Sequence, residues 1–240
     1  KEEVAVPVET KPEAAAPQIK GSGVVERLVE LENLYGTQNW RVALKIAEEV
    51  AMQKFCKFED KKEAIEIGLR LGLAYITVGV VASPLEGFVR LELKKRKDNG
   101  KEYFALYFSG PIRSAGTTAT CIFVALADYV RKKMGYAQYD PTETEVKRFS
   151  MEVRDFHERI TNLQYYPSEE EVEFMVSHLP IMIDGDPSEK IEVSNYKDLD
   201  RMETNIIRNG VCLVLAEGLT QKGPKFWKKF FEYAKDFGME

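Results

Sequence analysis

Gly87-Phe-Val-Arg-Leu-Glu-Leu-Lys-Lys-Arg-Lys-Asp-Asn-Gly-Lys-Glu-Tyr-Phe-Ala-Leu-Tyr-Phe-Ser109 decides the fold class. Ahead of it, apolar residues recur at helical spacing. Within it the period falls to two, with Val89, Leu91 and Leu93 on one face and Arg90, Glu92 and Lys94 on the other. Asp98-Asn-Gly100 supplies turn chemistry, and the return strand alternates Phe104, Leu106 and Phe108 against Tyr103, Ala105 and Tyr107. A hairpin among helices makes the chain α+β, mostly helical, with a few short strands packed on helices.

Upstream, Val24, Val25, Leu28, Leu31 and Leu34 mark a first helix. Asn39 is an N-cap for a second that runs towards Phe55, and Asp60 opens a third that ends near Ser83-Pro84. Downstream, a long apolar helix spans Ser114 to Met134 and closes at Gly135. A mixed-charge helix starts at Asp140-Pro-Thr-Glu143 and reaches about Tyr165, and another begins at Pro167-Ser-Glu-Glu-Glu171. Short strands are expected at Ile181 to Ile183 and Ile191 to Val193, and helices over about Glu203 to Gln221 and Pro224 to Phe237.

The 240 residues, 44% of them hydrophobic, suffice for a real core. Residues 1–23 mix Ala, Pro, Glu and Lys without apolar period and end in Gly21-Ser-Gly23, so they read as a disordered leader or linker. Residues 24–240 form the folded part, with a candidate subdivision near 140–165. The chain lacks an initiator methionine, a secretory run and a stretch of membrane-spanning length. It therefore reads as a fragment of a cytoplasmic protein with no membrane partner. Cys56, Cys121 and Cys212 stand far apart in apolar settings and read as buried reduced thiols, not zinc ligands.

Net charge is −5, which argues against a self-sufficient nucleic-acid binder. Basic residues nevertheless cluster at Arg90 to Lys101, Arg131 to Lys133 and Lys222 to Lys229. Beside the first cluster, Tyr103 and Tyr107 are either free to stack on a single strand or part of a strand whose Phe104 and Phe108 have core spacing.

Two junctions carry the remaining signal. In Tyr107 to Thr118, Gly110-Pro111 breaks the strand, Ser114 can cap a helix, and Arg113 either meets a phosphate or pairs with an acidic side chain. The junction lacks the lysine and glycine spacing of a triphosphate-binding loop. In Glu192 to Gly218, Arg201, Thr204, Asn205 and Arg208 fall at i, i+3, i+4 and i+7, a polar stripe on the expected helix. Val211 to Ala216 then reads as buried, with Gly210 permitting close approach of another element. Glu217 needs a cation such as Arg113 or Arg208, so these arginines either face DNA or lock the junctions together.

His157 and His178 have no nucleophile nearby in sequence, and His157 reads as part of a solvated face. Asp184-Gly-Asp-Pro-Ser188 reads as a turn, two carboxylates being a poor magnesium cage. No catalytic or metal-binding residue is expected.

Several quoted motifs also carry a family likeness. With Tyr75 to Gly87, Gly110-Pro-Ile-Arg-Ser-Ala-Gly116, Ala127 to Lys133, Tyr139 to Glu143, Leu163 to Glu171 and the second junction, the chain resembles the N-terminal part of the large subunit of archaeal family D DNA polymerase. The family usually shows glycine where this chain has Thr117 and Asn209. The resemblance implies an accessory N-terminal module, without cofactor, of a replicative two-subunit DNA polymerase. The parent enzyme would synthesise DNA with magnesium on a double-psi β-barrel lying downstream. Implied partners are a small subunit with 3′ to 5′ exonuclease activity, downstream large-subunit domains, a sliding clamp and primer-template DNA. The DNA contacts expected here are Arg113, Ser114, Arg131, Lys132, Lys133, Arg201, Asn205 and Arg208. The competing expectation is an assembly or oligomerisation domain without DNA contact.

Overall fold

A computed structural model describes residues 22–77, 86–115 and 118–236. The chain forms two compact units, Lys1–Val80 and Val81–Glu240. The expected leader lies outside the described residues up to position 21, as does the end of the third helix beyond position 77.

The first unit contains α1 (Val24–Tyr35), α2 (Trp40–Ala51) and α3 (Lys61–Ile76). Asn39 Oδ1 accepts from Arg41 N at 2.9 Å and Asp60 Oδ1 from Lys62 N at 2.8 Å, so both caps satisfy helix-start donors. α1 buries Val24, Leu28 and Leu31 but leaves Leu34 exposed. α2 stops at Ala51, short of Phe55, and Gln53 turns left-handed at φ 57° just beyond it. α2 and α3 approach closely at Gly68, where a Cβ would lie 2.5 Å from the Ala47 carbonyl oxygen.

In the second unit β1 (Phe88–Lys95) pairs antiparallel with β2 (Glu102–Phe108), and β3 (Met182–Asp184) adds in parallel to the far edge of β2. β2 is thus central, and Tyr103 through Phe108 are all buried. Of the two readings of Tyr103 and Tyr107, free to stack or part of a core strand, the second holds. A register shift between Phe88 and Arg90 also turns Phe88 inward and leaves Val89 exposed. The Phe88 ring centroid lies 4.4 Å from that of Phe123, which comes from α4 (Thr118–Lys133).

A 3-10 turn, Gly110–Ala115, precedes α4, so Ser114 sits in that turn and not at the helix start. α5 (Glu143–Arg159) and α6 (Glu169–His178) open with capping boxes, Thr142 with Glu145 and Ser168 with Glu171. The expected helix from Glu203 is absent up to Arg208. Residues 205–207 instead run beside 191–193, with Ile207 N donating to Ile191 O at 3.0 Å and Val193 N to Asn205 O at 2.9 Å. Helix begins only at α7 (Asn209–Leu213), continues as a π-helical segment (Val214–Thr220) and ends as α8 (Gln221–Asp236).

Gly210 makes the close approach expected of it. A Cβ there would collide with the Phe108 carbonyl, and one at Gly185 would lie 2.7 Å from the same oxygen. Gly210→Ala should therefore lower the unfolding free energy by roughly 1–3 kcal/mol, the usual cost of overpacking. Urea unfolding followed by tryptophan fluorescence checks this, and an unchanged midpoint would contradict the packing described.

Candidate functional site

α5 presents Glu145, Arg148, Glu152, Asp155 and Arg159 at spacings of three and four, which aligns them on one face. Its other face buries Val146, Phe149, Val153 and Phe156. The charged face is not solvated: Arg148 and Glu152 are fully buried and Glu145 and Asp155 nearly so. What covers it is the irregular stretch between β3 and α7, which carries the second junction.

The centre is Arg208, with no exposed surface. Its Nη2 donates to Glu152 Oε2 at 2.6 Å, its Nε to Glu152 Oε1 at 3.0 Å and its Nη1 to Asp184 Oδ1 at 2.5 Å. The Arg208 backbone N–H donates to Glu152 Oε1 at 2.7 Å. Asp184 Oδ2 accepts from Lys94 Nζ at 2.7 Å, and Lys94 also donates to the Arg201 carbonyl at 2.8 Å. Arg148 Nε lies 3.4 Å from Glu152 Oε2 while its Nη2 donates to Thr204 O at 3.2 Å. Two buried cations and two buried anions, flanked by Lys94, thus neutralise one another.

Either side of this centre the pattern repeats. Arg201 donates to Glu145 from Nε at 2.8 Å and from Nη2 at 2.5 Å, and to both the carboxylate and the backbone carbonyl of Asp140. Asp155 accepts from Ser194 N and Ser194 Oγ, each at 2.6 Å, and Arg159 donates to Glu192 O at 3.1 Å.

The electrostatics follow from burial and pairing. Burial alone would raise the Asp184 carboxyl, but Arg208 and Lys94 outweigh it and hold the group below the usual aspartate range. Burial would likewise lower Arg208, yet Glu152 and Asp184 keep it above the ordinary arginine value. Arg148 is pulled down by burial, with Glu152 only partly compensating.

Arg113 donates from Nη2 to Glu217 Oε1 at 3.1 Å, and the same oxygen accepts from Gln164 N at 2.8 Å. An ion pair thereby links the two junctions. Asn209 adds to the link, because its side chain abuts Gly110. Arg131 is buried, bonded to Asp128 at 2.8 Å and to Tyr136 O at 2.8 Å. Asn205 exchanges two hydrogen bonds with Asp198, whose backbone is left-handed at φ 56°. Ser114, Lys132 and Lys133 are exposed. The structure therefore gathers Arg201 and Arg208 along α5, joins Arg113 to Glu217 and leaves Ser114, Lys132 and Lys133 at the surface.

The sequence reading missed Lys94, Asp140, Glu145, Arg148, Glu152, Asp155 and Asp184 as partners. The one available signal was the mixed-charge stripe opposite an apolar stripe on α5, which is also the pattern of a solvated helix. His157 is half-buried, and its Nδ1 accepts from Leu163 N at 3.0 Å while its ring stacks on Tyr166 at 4.0 Å. Cys56 is only half-buried, whereas burial pushes the Cys121 thiol up to about 12. Asp184 is cation-paired as above and Asp186 takes Arg90 at 2.7 Å, so neither is a ready metal ligand. Among the described residues no group of three or more His, Cys, Asp or Glu is placed to hold a metal ion, and no helix is long and apolar enough to cross a membrane.

Residues 6–237 match the family described as DNA polymerase II large subunit DP2, N-terminal. Curated proteins named DNA polymerase II large subunit are similar to this chain. That of Nanoarchaeum equitans is 49% identical over 93% of the chain, that of Methanococcoides burtonii 44% over 86%, and that of Methanothermobacter thermautotrophicus 42% over 91%. The chain spans 18%, 18% and 19% of their respective lengths, less than a fifth of each.

Glu152→Ala should cost about 3–5 kcal/mol, because Arg208 and Arg148 lose their shared buried anion. The paired replacement Glu152→Met with Arg208→Leu should recover much of that loss, and a double-mutant cycle by equilibrium unfolding measures the coupling. Because the folded pKa of Asp184 lies below its unfolded value, its stabilisation is present above about pH 4 and is lost as pH falls through the folded value. Asp184→Asn should flatten that part of the acid-unfolding curve.

Proposed function

We propose a function from one premise: this chain belongs to the family of N-terminal regions of DNA polymerase II large subunits. It is a non-catalytic module of a replicative DNA-directed DNA polymerase, contributing to assembly of the large subunit and to the DNA path. The whole enzyme would act in the cytoplasm on primer-template DNA, with magnesium at a catalytic centre outside this chain. Its partners would be a small subunit with 3′ to 5′ exonuclease activity, downstream large-subunit domains and a sliding clamp.

The observation that supports the non-catalytic role is the commitment of the α5 charged face to the chain's own backbone and side chains. Glu145, Glu152, Asp155 and Asp184 are each taken up by cations or N–H and O–H donors, which leaves none of these four free to act as an acid or base. DNA contact falls to Ser114, Lys132, Lys133 and the outer edge of Arg113. Arg131, Arg201 and Arg208 are buried and paired within the fold, and Asn205 is bonded to Asp198.

The pure assembly reading draws on an apolar groove of about 260 Å³ lined by Val124, Met175, Leu219, Phe226 and Trp227, among others. The enzyme reconstituted from full-length subunits separates the readings. Lys132→Glu with Lys133→Glu should weaken primer-template binding, lower its salt slope by about 2 and change the melting temperature far less than Arg208→Ala does. Arg208→Ala should lower the melting temperature without changing the affinity of the folded enzyme. Unchanged binding by the lysine variant would leave assembly as the function.

A further inference from the structure

Asn99 and Asn209 are the asparagines of this chain that precede a glycine. Asparagine is thermally labile, and this pairing is its most reactive setting. The backbone nitrogen of the next residue can close a five-membered ring on the side-chain amide carbon, and a glycine there has no Cβ to block the approach. The fold places the two pairs in opposite situations.

Asn99 and Gly100 are both exposed at the tip of the hairpin between β1 and β2. Gly100 has φ 69°, and a Cβ on it would meet no atom within 4 Å. Among the described residues, the hydrogen bonds of Asp98, Asn99 and Gly100 stay inside the tip. Asp98 accepts from Arg96, Gly100 N donates to Arg96 O at 3.2 Å, and Lys101 N donates to Asn99 Oδ1 at 2.9 Å. That last bond draws electron density from the amide carbon and favours attack on it. The anchors to the rest of the unit fall earlier, with Arg96 on Gln138 O and Lys97 on Asp140 and Asp200. Residues 98–100 can therefore rearrange while the strands stay paired.

Asn209 and Gly210 instead open α7. Asn209 N donates to Ser188 Oγ at 2.7 Å, its side chain lies against Gly110, and Gly210 is buried against the Phe108 carbonyl. Ring closure there requires the side chain to leave Gly110 and the backbone to leave both the helix and β2. We propose that Asn99 is a site of spontaneous deamidation and that the fold shields Asn209 from the same reaction. Gly100 N bonds to Asn99 Cγ and passes its proton through water to Nδ2, the Cγ–Nδ2 bond breaks, and ammonia leaves a succinimide. Water then opens the ring at either carbonyl to give aspartate or isoaspartate, and no oxidant or reductant takes part. Each event sets a new carboxylate among the cations of Arg90 to Lys101. The isoaspartyl product also lengthens the main chain inside a turn that Arg96 N closes on Lys101 O at 2.9 Å. The hairpin tip thereby records the age of the molecule.

Timed incubation of this chain at mildly alkaline pH, followed by peptide mapping with mass spectrometry, tests it. The peptide holding residue 99 should exchange NH for O and split into aspartyl and isoaspartyl forms. It should do so at least about tenfold faster than the peptide holding residue 209, whose ring closure awaits local opening. In urea the two positions should convert at similar rates. An isoaspartate-specific methyltransferase supplied with labelled S-adenosylmethionine should label the aged wild type, and Asn99→Gln should remove most of that label. Equal rates at the two positions in the folded chain, faster conversion at 209, or an intact Asn99 in the folded chain while the unfolded chain converts each overturns the assignment. So does label that Asn99→Gln retains.

Discussion

Arg208 and Glu152 meet where neither has any contact with solvent, and the second unit is arranged around that pair. A buried ion pair is seldom a net source of stability, since desolvating both charges costs about what their attraction returns. Its value here lies in what else the two groups hold. Glu152 also takes the Arg208 backbone N–H, and Arg208 also reaches Asp184 at the end of β3. One pair therefore ties α5, the sheet and the start of α7 to a common point.

The same constraint explains the α5 charge stripe. The stretch between β3 and α7 has little regular structure, so much of its backbone hydrogen bonding must come from elsewhere. Arg148 supplies donors to the Tyr196 and Thr204 carbonyls, Arg159 to that of Glu192, and Asp155 an acceptor to Ser194 N. Tyr196 and Asp198 sit in left-handed backbone, an unfavourable conformation for side-chain-bearing residues that the surrounding bonds hold in place. A charged helix face here acts as a template for a loop.

The two sequence junctions turn out to be one structural feature. Gly185 and Gly210 let their backbones reach the Phe108 carbonyl, Asn209 abuts Gly110, and Arg113 closes the contact on Glu217. Glu217 lies in the π-helical segment, where Gly218 also packs against Thr120 with room for no Cβ. Such a joint is closely packed, with no room for a Cβ at Gly185, Gly210 or Gly218. Lys132 and Lys133 of α4 and Lys225, Lys228 and Lys229 of α8 stand exposed on the same unit.

Local features were legible in the chain itself. The Val89 to Phe108 alternation declared the hairpin, Asn39 and Asp60 declared their helix starts, and Gly210 declared a close approach, because each depends on residues only a few positions apart. The stripe of Arg201, Thr204, Asn205 and Arg208 misled for a physical reason. Its helical spacing is real, but Ile207 and Val193 find backbone partners across the loop that override it. The partners of the charges lay beyond any local pattern: Arg208 and Glu152 are 56 positions apart, as are Arg201 and Glu145. Residue type, spacing and caps thus determined which elements form and where most begin. Only the tertiary structure decided which arginines are buried and which lysines remain at the surface, since a charge is settled by the neighbours that folding brings to it.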